Sequence, residues 1–468
     1  MSTIDVDVAI IGAGTAGLYA LREVKRADKS FVLIDKGPLG TTCARVGCMP
    51  SKAALHAAEM WAVRTEQSTF GVEGTENLRL DRQAAWAKVR ELRDGFASGA
   101  ANNAIRSAGE HLLMGAARFV TPNQLSVETD DGQRTVNAKA VIIAAGSRPV
   151  MPGFLKPFAD FCFTTDDLFD LTQLPQRLGV LGLGAIGLEM GLAMARLGVE
   201  VVGADMADTI GGIRDPEVAK LALENFGKVF PMFLGSPAEL EQAASGVTVK
   251  TKTESLNVDK VLVALGRRSN VDQLAIENLG VELDKRGLLP YNPETMQVAN
   301  LPVYVVGDIN GSRTLMHEAA DEGAIAGFNA ARLGAQAFQR KTPISIAFTQ
   351  PDIISVGASF DSLNDDIIIG SANTSRNGRS RILSSDEGLL RIYIDKDNGL
   401  LLGASMIGPR AEHLAQYLSL AIESKLTAQQ LLQAPYYHPV VEETVQSALQ
   451  DALRQLPPSD FPFGLRPL

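Results

Sequence analysis

The apolar residues of this chain form short β-branched runs that alternate with longer helical patterns. Residues 6–11 are one such run, and a glycine-rich turn follows it directly. An alanine- and leucine-rich helical pattern then reaches about Lys25, and residues 31–34 form a second run that ends in Asp35. Strand, turn, helix and strand in this order are typical of a parallel sheet covered by helices. We therefore predict an α/β fold here.

The turn after the first run has the spacing Gly12-x-Gly14-x-x-Gly17. The first glycine permits a tight turn, the second lets the backbone approach a pyrophosphate, and the third allows close helix–strand packing. The amino end of the following helix favours an anion. Asp35 can then accept hydrogen bonds from a ribose diol. This segment predicts a dinucleotide-binding site.

The same pattern occurs a second time. Residues 178–181 form an apolar run, the turn Gly182-x-Gly184-x-x-Gly187 follows, and a later run leads to Asp205. In both copies the acid lies 18 residues after the third glycine. One such turn is weak evidence, whereas two copies with equal spacing make coincidence a poor explanation. We predict two bound dinucleotides.

The identity of each dinucleotide can be argued from nearby residues. The first Arg or Lys after Asp205 is Arg214, so the second copy lacks the cations that an NADP 2′-phosphate needs. NAD is therefore predicted there, and FAD in the first copy. Each copy has a further apolar run that ends in glycine, at Gly146 and Gly266. A third run ends in Asp308, which suits a ribityl hydroxyl of FAD or is an ordinary turn carboxylate.

The three cysteines of the chain are too few for a disulfide scaffold. Cys43 and Cys48 nevertheless lie five positions apart, and on a regular helix this spacing exceeds the reach of a disulfide. Gly47 and Pro50 predict a bent turn instead. A redox-active pair is favoured, two unpaired thiols are the alternative, and no metal site is predicted because zinc needs further ligands. Cys162 is predicted to be a packed thiol.

Charge and composition exclude several classes of protein. The chain has 468 residues, 46% of them hydrophobic, which allows several cores. Forty-four basic and fifty-four acidic residues give a net charge of −10, so we expect no nucleic-acid or anionic membrane partner. No apolar run approaches the roughly 18 residues of a membrane span, and the amino terminus lacks the basic region of a secretory signal. A cytoplasmic location is expected.

The segment GTTCARVGCMPSK at residues 40–52 resembles the redox-active segment of the flavoprotein pyridine nucleotide-disulfide oxidoreductases. AAGSRP at 144–149, ALGRRSN at 264–270 and GDI at 307–309 follow in that family's order. The resemblance covers essentially the whole chain and is greatest to the dihydrolipoamide dehydrogenase branch. It implies oxidation of dihydrolipoamide with NAD⁺ through FAD and an active-site disulfide. The alternatives are an NAD(P)H-dependent reductase of another small disulfide, similar to glutathione reductase, and a non-catalytic flavin-binding protein.

The resemblance also implies roles for individual residues. Cys43 would exchange with the substrate, and Cys48 would contact the flavin. Lys52 would lie near the flavin and pair with Glu189 from the second copy. Without the resemblance, two interpretations of Glu189 are about equally good: an acid that pairs with a partner, and an exposed helix residue.

Near the carboxyl terminus, His438 is followed five residues later by Glu443. Alone this motif is weak, but it resembles the family's HPxxxE segment. There the His is the acid–base residue and the Glu orients its imidazole. Because the family takes this His from the partner subunit, the resemblance implies a homodimer. The substrate would be dihydrolipoamide or a lipoyl-bearing protein.

The chain also departs from the family pattern. Thr41 replaces a glycine, Ala145 replaces a threonine, and Tyr436 replaces the first His of HxHP. Ala185 stands where glutathione reductases carry a tyrosine, which favours the NAD-dependent branch. Thr41 and Tyr436 leave the exact disulfide substrate open. The basic segment 376–381 is interpreted as a solvated loop, with a contact for a carboxylate or a partner protein as the alternative.

Together these patterns predict two Rossmann-like dinucleotide-binding domains, for FAD and NAD, and a C-terminal α+β dimerisation domain. The predicted FAD-binding domain covers residues 1–149 and resumes as a central segment at 271–342. The NAD-binding domain is predicted at 150–270, and the dimerisation domain at 343–468.

Overall fold

A computed structural model describes residues 3–252, 254–385, 387–456, 462 and 464–466. Within these residues the strands form five sheets. The part up to residue 149 contains β1 (Thr3–Ile11), α1 (Thr15–Arg26), β2 (Phe31–Asp35), α2 (Thr42–Arg45), α3 (Cys48–Ala62), α4 (Arg64–Gln67), α5 (Arg82–Ala108), β3 (Leu112–Met114), β4 (Ala116–Thr121), β5 (Gln124–Thr129), β6 (Gly132–Ile143) and β7 (Ser147–Pro149).

The next part of the chain holds the second glycine turn. Its elements are β8 (Cys162–Phe163), α6 (Thr165–Leu168), β9 (Arg177–Leu181), α7 (Ala185–Arg196), β10 (Glu200–Ala204), α8 (Pro216–Phe226), β11 (Met232–Phe233), β12 (Glu239–Gln242), β13 (Val247–Lys250), β14 (Ser255–Val258), β15 (Lys260–Val263) and β16 (Arg267–Ser269).

The remaining elements return to the first sheet and then build a separate one. They are β17 (Val303–Val305), α9 (Met316–Ala330), β18 (Ile344–Ala347), β19 (Asp352–Gly357), β20 (Ile367–Asn373), α10 (Gly378–Ile382), β21 (Leu389–Asp395), β22 (Leu401–Gly408), α11 (Ala411–Glu423), α12 (Ala428–Leu432) and α13 (Glu443–Leu453).

Each glycine turn lies at the carboxyl end of a strand in the middle of a parallel sheet. In the first sheet β3, β2, β1 and β6 run parallel and β17 pairs in parallel with β6. In the second, β11, β10, β9, β15 and β8 are all parallel. The C-terminal sheet is antiparallel, in the order β18-β19-β22-β21-β20. The predicted fold class is confirmed.

The apolar runs became strands because the sheets bury them on both faces. Val8, Ala9 and Ile10 of β1 are fully buried, as expected for a central parallel strand. Strand β7, just before the predicted NAD-binding part, and β16, at the end of that part, pair with each other in antiparallel fashion. The residue limits of the four predicted segments stay predictions.

The first helix packs closely on a later one. A Cβ added at Gly323 of α9 would lie 2.2 Å from the carbonyl oxygen of Ala16, and one at Gly327 would lie 2.4 Å from that of Ala20. Only glycine allows the backbones of α1 and α9 to approach in this way. Within the described residues, no helix has both the length and the apolar character required to cross a membrane.

A buried charge cluster joins the second parallel sheet to the C-terminal sheet. Asp215, which is fully buried, caps α8 by accepting the amides of Glu217 and Val218. Its carboxylate also accepts hydrogen bonds from Arg391 and from the hydroxyl of Tyr393, both at 2.7 Å. Because Arg391 and Tyr393 belong to β21, this carboxylate ties two parts of the fold together.

We predict that Asp215→Ala lowers the free energy of unfolding by about 3 kcal/mol, because it leaves a largely buried arginine without its counter-ion. Urea unfolding followed by tryptophan fluorescence would measure this loss. Lys228→Ala is the matched control, since Lys228 also bridges to the C-terminal part through Glu387, but both side chains are more than 60% exposed. The control should lose less than about 1 kcal/mol, and equal losses would contradict the prediction.

Candidate active site

The glycines of the first turn leave one open position between two tight ones. A Cβ at Gly12 would lie 2.3 Å from the carbonyl oxygen of Ala144, and one at Gly17 would lie 1.9 Å from that of Gly12. Gly14 precedes α1 directly, and an added Cβ there would meet no atom within 4 Å. The space before the amino end of α1 is therefore free for a phosphate.

The second turn repeats this geometry. A Cβ at Gly182 would lie 2.4 Å from the carbonyl oxygen of Ala264, and one at Gly187 would lie 1.8 Å from that of Gly182. Gly184, at the amino end of α7, again faces open space. The two turns therefore provide equivalent approaches for a pyrophosphate.

The acid of each unit is held in the same orientation. The amide of Ala13 donates to Asp35 at 2.6 Å, and the amide of Leu183 donates to Asp205 at 2.6 Å. Each carboxylate oxygen has a second lone pair, so both acids can also accept bonds from a ribose. Arg214 is the first arginine after Asp205 in the sequence. Its side chain lies 3.9 Å from that of Asp361.

Two adjoining cavities follow the first turn. A cavity of about 440 Å³ is lined by the turn, Asp35 and Gly146. A second, of about 380 Å³, extends from Gly14 and Gly146 to the cysteines and Asp308. Because the cavities share these lining residues, they form a groove suited to an extended dinucleotide. Gly266, the corresponding residue of the second unit, also faces open space.

The turn that carries Asp308 is held by a buried acid that the sequence did not reveal. The hydroxyl of Ser147 donates to the Asp308 carboxylate at 2.7 Å. Glu322, which is fully buried, accepts the amide of Gly307 at 2.7 Å and the side chain of Asn310 at 2.8 Å. Burial raises the pKa of Glu322. No sequence motif marks Glu322, which lies in the alanine-rich helix α9. Its role depends on contacts with the turn before that helix.

The cysteine segment bends between two helices. Helix α2 ends before Val46, and α3 begins at Cys48. Pro50 is tolerated there because the first turn of a helix needs no amide donor. A Cβ at Gly47 would lie 3.0 Å from the carbonyl oxygen of Thr42, so glycine permits the tight bend.

Cys43 and Cys48 meet across this bend. Both are thiols in this structure, Cys43 half-buried and Cys48 exposed. Hydrogen bonding with Cys43 lowers the pKa of Cys48 to about 6, partial desolvation opposes the change, and Lys52 contributes to it. The first turn of α3 also favours an anion at Cys48. The same bond and burial raise the pKa of Cys43.

Lys52 and Glu189 form an ion pair at the end of the same cavity. Their charged atoms are 2.8 Å apart, and the side chain of Glu189 is only 6% exposed. The amide of Phe348 donates to Glu189 at 2.8 Å, and Nζ of Lys52 lies 4.5 Å from the centre of the Phe348 ring. The pair therefore joins α3, α7 and the C-terminal part. The role of Phe348 could not be predicted from the sequence, because it contributes a backbone amide.

His438 and Glu443 are paired, but away from the cysteines. Nδ1 of His438 lies 2.9 Å from Oε1 of Glu443, and the amide of Val440 donates to Oε2 at 3.1 Å. Burial opposes ionisation of Glu443, yet the bond with His438 keeps its pKa below the usual value. The His438 side chain is 78% exposed. Among the described residues that line the cysteine cavity, none comes from this segment.

Comparison with known proteins identifies the family of this chain. The family model described as pyridine nucleotide-disulphide oxidoreductase matches residues 6–323, and the dimerisation domain of the same family matches residues 344–449. The chain belongs to this family. It is therefore a flavoprotein disulfide oxidoreductase that uses FAD and NAD(H), as predicted.

The chain is similar in sequence to members of this family and similar in fold to solved structures. Dihydrolipoyl dehydrogenase of Thermus scotoductus is 32% identical, over 96% of this chain and 98% of the relative. That of Geobacillus stearothermophilus is 29% identical, over 96% and 97%. An HOCl-induced flavoprotein disulfide reductase from Escherichia coli has a TM-score of 0.82 at 21% identity, over 95% of this chain and 99% of its own. LpdA from Mycobacterium tuberculosis has a TM-score of 0.83 at 22% identity, over 98% and 100%.

Two departures from the family pattern have structural explanations. Thr41 has φ +57° and ψ 147°, a region that glycine adopts far more readily. Its side chain accepts the amide of Ala44 at 3.2 Å and so caps α2. The hydroxyl of Tyr436 lies 3.3 Å from that of Tyr417 and from the carbonyl of Leu431. Tyr436 therefore packs within the C-terminal part of the fold.

The third cysteine is separate from the oxidoreductase site. Cys162 lies in β8, packed against an apolar cluster, and burial raises the pKa of its thiol. Within the described residues, no group of three or more His, Cys, Asp and Glu side chains is arranged to hold a metal ion.

We predict that Lys52→Met raises the pKa of the Cys48 thiol. The substitution removes the cation beside the thiolate and leaves the charge of Glu189 uncompensated. In the reduced protein, the midpoint pH for carbamidomethylation of Cys48 by iodoacetamide, followed by mass spectrometry, should rise by roughly one pH unit. Lys88→Met, which removes a surface lysine paired with Glu91, should leave the midpoint unchanged. A midpoint in Lys52→Met equal to that of the unmodified chain would refute the prediction.

Proposed function

We propose that this flavoenzyme oxidises dihydrolipoamide, or a dihydrolipoyl group on a protein, with NAD⁺. The observation that carries the proposal is the Cys43–Cys48 pair, in which the pKa of Cys48 is lowered to about 6 beside the Lys52–Glu189 ion pair. The similarity to relatives named dihydrolipoyl dehydrogenase supports the choice of dithiol. The absence of Lys and Arg from residues 206–213 of the sequence supports NAD⁺.

The two glycine units fit the two cofactors. When bound, FAD accepts the electron pair of the dithiol and NAD⁺ accepts hydride. FAD would be held by Gly12, Gly14, Gly17, Asp35, Lys52, Gly146 and Asp308. NAD would be held by Gly182, Gly184, Gly187, Asp205 and Gly266. The open face at the middle glycine of each turn and the fixed acids support this assignment.

The asymmetry of the two thiols fits their proposed roles. In the oxidised enzyme, a substrate thiolate attacks Cys43, and Cys48 leaves as the thiolate, which its lowered pKa makes the better leaving group. The second substrate sulfur then attacks its own mixed disulfide and releases Cys43. The products are a cyclic substrate disulfide, the Cys48 thiolate and the Cys43 thiol. The raised pKa of Cys43 agrees with its proton uptake.

His438 is proposed to take the substrate's thiol proton, and Glu443 to orient and stabilise the imidazole. His438 is exposed, and neither residue of the pair lines the cysteine cavity of its own chain. A second copy of this chain would supply the pair to that cavity. The match to a dimerisation domain supports such a homodimer. A cytoplasmic location, where thiols are kept reduced, belongs to the same proposal.

A comparison of two substrate pairs tests the reaction. The holoenzyme should turn over dihydrolipoamide with NAD⁺ at least about tenfold faster than NADPH with glutathione disulfide. The reason is that no Lys or Arg follows Asp205 in the sequence before Arg214 to pair with a 2′-phosphate. Both rates would be measured as the absorbance change of the nicotinamide on one preparation. Faster turnover of the NADPH pair would overturn the proposal and favour a reductase of a small disulfide.

His438→Ala tests the acid–base role. Thiol–disulfide exchange with dihydrolipoamide should slow by roughly 10²–10⁴-fold, whereas NADH oxidation by an artificial electron acceptor should change little, since that reaction needs no thiol proton transfer. His413→Ala is the matched control, because His413 is also exposed and adjacent to a glutamate, Glu412. Equal losses of both activities in His438→Ala would exclude the role.

A further inference from the structure

The basic segment 376–381, called here the arginine turn, lies between β20 and β21 and contains Arg376, Arg379 and Arg381. Residues 378–381 belong to the short helix α10, capped by Asn377, so most of this segment is helical rather than the predicted loop. Arg376 and Arg381 are exposed, and Arg379 is half-buried. Among the described residues, which leave out position 386, none of the three forms an ion pair within 4 Å. The turn therefore presents three positive charges on a chain whose net charge is −10.

Buried hydrogen bonds attach this turn to the proposed acid–base residue. Asn377 is buried, and its Nδ2 donates to the carbonyl of Val440 at 3.0 Å. The amide of Val440 in turn donates to Glu443, which pairs with His438. The amide of Ser380 donates to Oδ1 of Asn377 at 2.8 Å. The arginine turn and His438 are thus parts of one hydrogen-bonded unit.

The lengths involved suit a small substrate. Arg376, Arg379 and Arg381 lie one, two and four residues from Asn377, and His438 lies two residues from Val440. Because one hydrogen bond joins Asn377 to Val440, the backbone length per residue limits the distance between the Cα atoms of Arg376 and His438 to roughly 20 Å. The arginines are therefore close enough to His438 to contact the far end of a small ligand whose sulfur lies at that residue.

We propose that the arginine turn binds the carboxylate of a low-molecular-weight dithiol or disulfide while His438 acts on its sulfur. A guanidinium matches a carboxylate with two parallel hydrogen bonds. A local positive patch on an acidic protein also concentrates anions at that patch. The inference rests on the proposed function, because a homodimer must bring His438 and its turn to the cysteines of the other chain.

A matched pair of substrates tests this charge preference. Dihydrolipoate and dihydrolipoamide differ only by the carboxylate, so the ratio of their kcat/KM values with NAD⁺ reports its recognition. The ratio should exceed one, fall as ionic strength rises, and fall about fivefold in the R376Q/R381Q double variant. Arg454→Gln is the control, since Arg454 is an exposed arginine at the far end of α13 from Glu443. It should leave the ratio unchanged.

A second measurement does not depend on the lipoyl substrate. In the NADH-reduced holoenzyme, Cys43 and Cys48 would be alkylated with iodoacetate, which is an anion, or with iodoacetamide, which is neutral. The ratio of the two rates should fall several-fold in R376Q/R381Q and stay constant in Arg454→Gln. Gel filtration and circular dichroism of the double variant would verify that it still dimerises and folds.

The outcomes separate the inference from the proposed function. If neither dithiol reduces NAD⁺, the proposed function fails, and the alkylation ratio still decides the charge preference. If both dithiols react but neither ratio changes in the double variant, the inference is overturned and the proposed function stands. If the double variant slows only a lipoyl-bearing protein, the turn binds an acidic protein surface and the small-molecule assignment is wrong.

Discussion

Glu189 is almost completely buried, and a buried carboxylate is tolerated only when it is paired and hydrogen-bonded. Lys52 supplies the charge and the Phe348 amide supplies a second partner. These three residues come from α3, α7 and the segment between β18 and β19, so one ion pair relates the redox segment, the second glycine unit and the C-terminal part. The lowered pKa of Cys48 depends partly on the same lysine. The pKa of Cys48 and the arrangement of the three parts of the fold therefore both depend on the Lys52–Glu189 ion pair.

The two proposed catalytic groups of the chain do not meet within it. The cysteines line a cavity that adjoins the first glycine turn, whereas His438 lies on an exposed face with Glu443. The bonds from Val440 and Asn377 extend this face to the arginine turn. Such a rigid, charged surface suits a position opposite a second copy of the chain. Substrate selection would then depend on one subunit and electron transfer on the other.

Much of the site could be predicted because its residues are adjacent in sequence. The spacing of Gly12, Gly14 and Gly17 follows from local backbone contacts, and Gly47 and Pro50 shape the cysteine bend locally. The buried acid that holds the Asp308 turn could not be predicted. Glu322 acts through a buried contact with the preceding turn, and no residue pattern distinguishes it from other helix acids. Phe348 was missed because it contributes a main-chain amide, which any residue type provides.

The amino-acid sequence by itself determined the strands, the two glycine turns and the cysteine spacing, because hydrophobic periodicity and steric limits act over a few residues. Only the tertiary structure decided the lowered pKa of Cys48, the burial of Glu189 and the attachment of the arginine turn to the His438 segment. Each of these depends on distance and local dielectric between groups that are far apart along the chain. Asn377 and Val440 are 63 residues apart in sequence but share one hydrogen bond.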